Sequence, residues 1–154
     1  MKNIFLMFLL VTAIIGGYFF IDFNTLANDV RGEVKFVSQN NNCDLHEGPC
    51  KISLEDGTSF NLEVFPKEIP LMKPVRFKIT SEKYNENNIV LEVYAKNMNM
   101  GTQNIKLEKI KENEYESTVI LPTCIRGNMK WNADIILDKL SHRVGAKFKF
   151  KTDY

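Results

Sequence analysis

The amino-acid sequence predicts an all-β protein, an antiparallel immunoglobulin-like sandwich of about eight strands preceded by one N-terminal transmembrane helix. Three observations support this fold class: an uncharged apolar segment at the start, alternation of apolar with polar residues over most of the remaining chain, and turn-forming residues between the alternating runs. We divide the chain into a membrane or signal segment at 1–21, a linker at 22–42 with a candidate first strand at 33–37, and a sandwich domain at 43–154.

The first predicted element is a helix that spans a membrane. Residues 4–21 hold no charge, and about 18 residues at 1.5 Å each give roughly 27 Å of helix, close to the thickness of a bilayer's hydrocarbon core. Lys2 and the terminal amine favour a cytoplasmic N-terminus. We therefore expect a single-pass protein of the bacterial inner membrane with its C-terminal domain in the periplasm. The alternative is a signal segment that is cleaved near Ala27, which would leave a secreted domain.

The strands are predicted from an apolar period of two, which is typical of strands with one buried face. The runs that show this period lie at 60–64, 75–80, 89–94, 105–108, 131–137 and 144–151. Turn-forming pairs such as Asp56-Gly57 and Arg126-Gly127 separate the runs. We expect Trp131 and Phe148 to be core residues.

Composition and motifs exclude several classes of function. All but one of the 20 Lys and Arg residues follow the apolar segment, where 19 Asp and Glu residues balance them. A neutral domain without a basic run offers nucleic acid or anionic lipid little to bind, so we expect no nucleic-acid partner. His46 and His142 show no metal spacing, and a Cys124–His dyad lacks an orienting residue. We expect a protein that is not an enzyme.

Two of the three cysteines, Cys43 and Cys50, end a loop that contains the turn-forming pair Gly48-Pro49. Outside the cytoplasm such a pair is expected to form a disulfide, which contributes about 2–3 kcal/mol by chain entropy. The alternative is a metal or redox site with His46 between the thiols, although the spacing is wider than that of a thioredoxin-type pair. With the disulfide, His46 is expected to be an exposed loop residue.

The third cysteine, Cys124, and a pair of methionines suggest a soft-metal site. Met98 and Met100 are two residues apart, so an extended backbone would direct both thioethers to one face. Thioethers and thiolates are soft ligands that select Cu(I). If their loops meet at one end of the sandwich, these three residues form one site, with Met129 as a further candidate donor and His46 as a more distant one. The alternatives are that the sulfurs fill the core or contact a partner.

At these motifs the chain resembles a group of membrane-anchored bacterial periplasmic domains, the YtkA-like and FixH-like sandwiches. The motifs are Cys-x6-Cys with Gly-Pro, Met-x-Met-Gly and Cys-x-x-Gly before a Trp. The resemblance covers about residues 43–151 and implies a β-sandwich. Some members of the group are associated with copper handling or with assembly of haem-copper oxidases. The chain departs from the copper-handling pattern because no histidine accompanies Met98 and Met100.

Together these observations predict a membrane-anchored periplasmic binding or assembly factor that coordinates Cu(I) through Met98, Met100 and Cys124. Its expected partners are the membrane, copper, and an envelope protein such as an oxidase or its assembly factor. The alternative is a protein–protein interaction module of the bacterial envelope that binds no metal and whose sulfurs are purely structural.

Overall fold

The computed structural model describes Met7 and residues 34–87, 89–123, 127–138 and 143–152. The described residues from Val34 onward belong to one compact unit. Apart from Met7, the predicted membrane segment at 1–21 lies outside the described residues, as does most of the predicted linker. In the described part of the chain, no helix has the length and apolar character needed to cross a membrane.

The described residues form ten strands in two five-stranded sheets, which confirms the prediction of an all-β fold. The strands are β1 (Val34–Ser38), β2 (Cys50–Ser53), β3 (Ser59–Phe65), β4 (Pro74–Glu82), β5 (Val90–Ala95), β6 (Thr102–Lys106), β7 (Glu108–Lys111), β8 (Glu114–Ile120), β9 (Met129–Asp138) and β10 (Arg143–Thr152). The first sheet has the order β1-β10-β9-β5-β6, and the second sheet has the order β2-β3-β4-β8-β7.

The prediction of a purely antiparallel sandwich is wrong at one edge, where β1 pairs with β10 in parallel. Val34 lies opposite Arg143, and Ser38 lies opposite Lys147. Parallel neighbours need a long connection, and here nearly the whole domain connects the two strands. Such a pairing leaves no local signal in the sequence, because the two segments are more than a hundred residues apart.

The strand count also exceeds the predicted eight. The run at 105–108 is not one strand: β6 lies in the first sheet and β7 in the second, and the chain crosses between the sheets at Leu107. Leu107 is 2% exposed and points into the core. The alternation of Ile105 and Leu107 with Lys106 and Glu108 continues through the crossing because Leu107 itself faces the core, so the pattern hides the break.

The hydrophobic core lies between the sheets and includes Trp131 and Phe148, as expected. One row of aromatic rings joins the two sheets. Phe77 of β4 has its ring centroid 6.0 Å from that of Phe150 of β10. Phe150 in turn stacks on Trp131 at 6.2 Å with an interplanar angle of 12°. Trp131 Nε1 donates a hydrogen bond to Thr152 Oγ1 at 2.9 Å, so the polar edge of the indole is also satisfied.

One end of the sandwich collects most of the sulfur. The strands β1, β3, β5 and β8 end there, and β4, β6 and β9 begin there. We call this region the sulfur end and define it as residues 39–50, 66–73, 96–101, 121–123 and 127–130. Four of the six methionines belong to it, as do the two paired cysteines: Met72, Met98, Met100, Met129, Cys43 and Cys50. Val34, where the compact unit begins, lies at the opposite end.

Candidate functional site

The loop that carries Met98 and Met100 is fixed against the start of β9. Asn97 makes the two contacts: its Nδ2 donates to Asn128 O at 3.1 Å, and its Oδ1 accepts from Lys130 N at 3.0 Å. On the other flank, Met72 N donates to Leu121 O at 2.8 Å. Two methionine-bearing loops therefore contact the two flanks of the segment in which Cys124 lies.

Met98 and Met100 are both partly buried and pack against the hydrophobic core. The residues that alternate with them, Asn97, Asn99 and Gly101, are exposed. The two thioethers therefore turn to the same side of the loop, the arrangement that an extended backbone produces. Gly101 has φ +79°, a left-handed conformation that glycine adopts without strain, and its N donates to Asn99 Oδ1 at 3.4 Å.

Of the other predicted sulfur ligands, one is buried in the core and one lies outside the described residues. Met129 is fully buried at 0% exposure and belongs to the hydrophobic core, where methionine commonly fills irregular gaps. Cys124 lies outside the described residues, so its role as a ligand stays a prediction. Among the residues that the structure describes, no group of three or more His, Cys, Asp or Glu side chains could hold a metal ion.

The predicted disulfide between Cys43 and Cys50 is confirmed, with 5.8 Å between the two Cα atoms. We call residues 43–50 the disulfide loop. Cys50 is buried at the start of β2, and Leu45 inserts into the core at 0% exposure. The loop is thus attached to the domain by a covalent bond and by an apolar anchor.

His46 is not the exposed loop residue that the sequence suggests, because its ring is half-buried and both of its nitrogens face carbonyl oxygens. Nδ1 lies 2.7 Å from Lys67 O, and Nε2 lies 2.7 Å from Lys151 O. Lys67 follows β3 of the second sheet and Lys151 is in β10 of the first, so His46 joins the disulfide loop to both sheets. A metal at His46 would have to displace one of these two contacts.

A groove of about 590 Å³ lies between the disulfide loop and the ends of β9 and β10. Its outer wall is formed by residues 39–47, and its inner wall carries Trp131 and Phe150 beneath several lysines. Gln39 fixes the outer wall: its Nε2 donates to Cys43 O at 2.6 Å, and its Oε1 accepts from Lys149 N at 2.9 Å. Sequence reasoning missed this groove because its residues come from four distant segments.

A buried acidic group lies on the outer face of the first sheet. Asp134 is 2% exposed, and its Oδ2 lies 3.3 Å from Lys147 Nζ and accepts a hydrogen bond from Tyr94 OH at 3.0 Å. Its Oδ1 has no hydrogen-bond partner within the described part of the chain. Burial raises the pKa of Asp134, although the Lys147 ammonium and the Tyr94 hydroxyl act in the opposite direction.

This raised pKa predicts a pH dependence of stability. The folded protein holds a proton on Asp134 more tightly than the unfolded chain does, so the stabilisation is present at low pH. It is lost as the pH rises from about 3.9 through the folded-state pKa. We therefore expect Asp134→Asn to gain stability relative to the wild type as the pH rises through this window, measured by chemical denaturation at several pH values.

Glu114→Gln provides a control of opposite sign. The hydrogen bond from Lys78 lowers the pKa of Glu114, so the wild type loses this stabilisation as the pH falls. We expect the stability of Glu114→Gln relative to the wild type to fall as the pH rises. A stability difference between Asp134→Asn and the wild type that is flat or falls with pH contradicts the prediction.

The described residues define the class of protein as an all-β, two-sheet domain with one disulfide. No protein-family model matches the chain, and no curated protein matches it. Among solved structures, the chain is similar to a DUF4785 family protein from Legionella pneumophila, with 14% sequence identity and a TM-score of 0.43. The similarity covers 63% of this chain and 28% of that one, so the chain spans less than a third of that protein's length.

Proposed function

We propose that this chain is a non-enzymatic binding or assembly factor of the bacterial envelope, held at the inner membrane by residues 1–21, that coordinates Cu(I) at its sulfur end. The proposed ligands are the thioethers of Met98 and Met100 and the thiol of Cys124. The observation that supports this function most is the contact of two methionine-bearing loops with the two flanks of the Cys124 segment, through Asn97 on one side and Met72 on the other.

The chemistry of this donor set suits a reduced, soft ion. A thiolate supplies affinity and charge neutralisation, and two neutral thioethers favour Cu(I) over harder divalent ions. Met98 and Met100 are partly buried, which restricts access of water, while the exposed Asn97 and Asn99 place them close to solvent. Such a position suits reversible transfer, in which a donor protein delivers copper and an acceptor protein removes it.

Met72 adds a thioether that the spacing of the sulfur motifs does not reveal. Its side chain is 62% exposed beside Leu121, and its backbone has φ +58°, an uncommon conformation for a residue with a side chain. The hydrogen bond from Met72 N to Leu121 O holds this turn against the start of the Cys124 segment. Its exposed thioether makes Met72 a candidate first contact for incoming copper.

The alternative function, an interaction module of the envelope that binds no metal, also has support. Met72 and Ile120 are 62% and 54% exposed, and Met72 N donates a hydrogen bond to the carbonyl of Leu121, the residue that follows Ile120. Exposed apolar side chains that cluster mark contact surfaces for other proteins. Met98, Met100 and Met129 would then be structural, because all three pack in or against the core.

Anaerobic titration separates the two functions. The full chain, in detergent micelles that accommodate the predicted anchor, is titrated with Cu(I) against a competing chelator. We expect one copper per chain, with affinity at least about tenfold lower in Met98→Leu/Met100→Leu and in Cys124→Ser, since each change removes soft donors. Leu replaces Met with little change of volume, so folding is preserved. Met7→Leu is the matched control and should bind as the wild type does.

Two outcomes contradict the proposed site. If Met98→Leu/Met100→Leu/Cys124→Ser retains one copper with wild-type affinity, the ligands are elsewhere. If the wild type binds no copper, the interaction module is the better account of the sulfur end.

A further inference from the structure

The groove at the sulfur end is lined by neither Met98 nor Met100. We propose that the groove binds a small organic polyanion, a polycarboxylate or a phosphate ester, through a row of three lysines. We call Lys96, Lys130 and Lys151 the lysine row.

The lysine row crosses three neighbouring strands of the first sheet. Lys130 and Lys151 are direct cross-strand partners in the β9–β10 ladder. Lys96, directly after β5, donates its N–H to Lys130 O at 2.7 Å and so lies beside it on the other side. All three side chains are exposed on the outer face. Since neighbouring strands are about 4.8 Å apart, the row spans roughly 10 Å.

The lysine row lowers the stability of the folded domain. Like charges directly opposite each other on antiparallel strands are destabilising, and Lys130 and Lys151 are such a pair. Lys149, the next outward-facing residue of β10, also lines the groove. A bound anion would neutralise these charges and remove the repulsion. The domain is neutral as a whole, so this local excess of positive charge appears only once the strands are placed side by side.

The ammonium groups of the lysine row have no ion pair and no hydrogen bond to any described residue. Other lysines of the domain are paired: Lys51 with Glu82 at 2.8 Å, and Lys67 with Glu63 at 3.0 Å. Four lysines line the groove against two carboxylates. One of these carboxylates, Asp44, already accepts a hydrogen bond from His46 N at 2.9 Å. The groove therefore has an excess of positive charge that no described residue neutralises.

The outer wall of the groove is fixed before any ligand arrives. The disulfide, the two contacts of His46 and the hydrogen bonds of Gln39 hold the segment 39–47 in place. A ligand then binds without having to order a loop, which preserves more of the interaction energy. The side-chain amides of Asn40, Asn41 and Asn42 line this wall and offer hydrogen-bond donors to anionic oxygens.

Size and position favour a small soluble anion. A volume of about 590 Å³ falls within the roughly 300–1,000 Å³ that is typical of small-molecule sites. Most of the residues that line the groove are exposed and polar or charged, so a ligand that arrives from water reaches them directly.

The proposal is tested by calorimetric titration of the full chain in neutral detergent micelles, with citrate and triphosphate as separate probes at fixed ionic strength. We expect at least one of them to bind once per chain. Lys130→Gln/Lys151→Gln should weaken this binding by about tenfold or more, because each ammonium makes charge-assisted contacts. The matched control, Lys73→Gln/Lys106→Gln, removes the same charge from exposed positions outside the groove and should change affinity less than about twofold.

Loss of folding does not explain the expected loss of binding, because Lys130→Gln/Lys151→Gln removes a like-charge pair. This variant should be at least as stable as the wild type to denaturant. Two results would overturn the proposal: neither probe binds, or the two double variants weaken binding equally. If neither probe binds and a hexaglutamate peptide does, the groove is assigned to an acidic partner protein.

Discussion

Phe77→Ala is expected to lower the free energy of unfolding by about 3–5 kcal/mol, the usual range for a large aromatic residue removed from a core. Phe77 is fully buried on β4, and its ring contacts Phe150 of the opposite sheet. Truncation leaves a cavity between the sheets, directly below the Phe150 and Trp131 stack that forms the floor of the groove. Loss of the Phe77 ring therefore lowers the stability of the domain and also changes the shape of the groove.

Trp131 is the only tryptophan of the chain and lies next to Phe150, so its fluorescence follows unfolding at this point. Ile110→Ala is the control: the side chain is 51% exposed on the edge strand β7, and its removal should change the stability by no more than about 0.5 kcal/mol. Equal effects of the two substitutions would mean that the sheets do not pack through Phe77.

Removal of the disulfide is expected to cost about 2–3 kcal/mol, because a bridge that closes a loop of this length restricts the unfolded chain. The comparison is between Cys124→Ser and Cys43→Ser/Cys124→Ser, so that no third thiol can form a wrong pair. Cys43→Ser leaves Cys50 in place, which avoids putting a hydroxyl at a position with 0% exposure.

A second consequence is expected at the groove. Cys43 O accepts the hydrogen bond from Gln39, and the disulfide loop carries His46, so loss of the bridge loosens the outer wall. Anion affinity should fall along with stability. A stability difference below about 0.5 kcal/mol between the two proteins would contradict the role given to the disulfide.

The fold class was predictable because the period of two is a local property. Phe77, Trp131 and Phe148 are each flanked by polar or oppositely facing residues, so their burial follows from the sequence alone. The disulfide was predictable for a similar reason, since its two cysteines enclose a short turn-forming loop. The parallel edge between β1 and β10 was not, because register between distant strands depends on tertiary packing.

The candidate sites also combine features that are local in the sequence with features that depend on tertiary packing. The neighbouring thioethers of Met98 and Met100 are visible in the sequence, but their contacts with the Cys124 flanks depend on Asn97, whose partners are more than thirty residues away. His46 looks like an ordinary loop residue because its second carbonyl partner, Lys151, is 105 residues distant. The lysine row exists only when three strands lie side by side.

X-ray absorption spectroscopy of the full chain loaded with one equivalent of Cu(I) tests whether sulfur holds copper at the sulfur end. We expect a first shell of sulfur atoms alone, at about 2.3 Å, since a metal–sulfur bond has roughly this length. We also expect Met98→Leu/Met100→Leu to lose sulfur scatterers from this shell. A first shell of nitrogen or oxygen atoms, or a spectrum that the substitutions leave unchanged, would rule out coordination by these two thioethers.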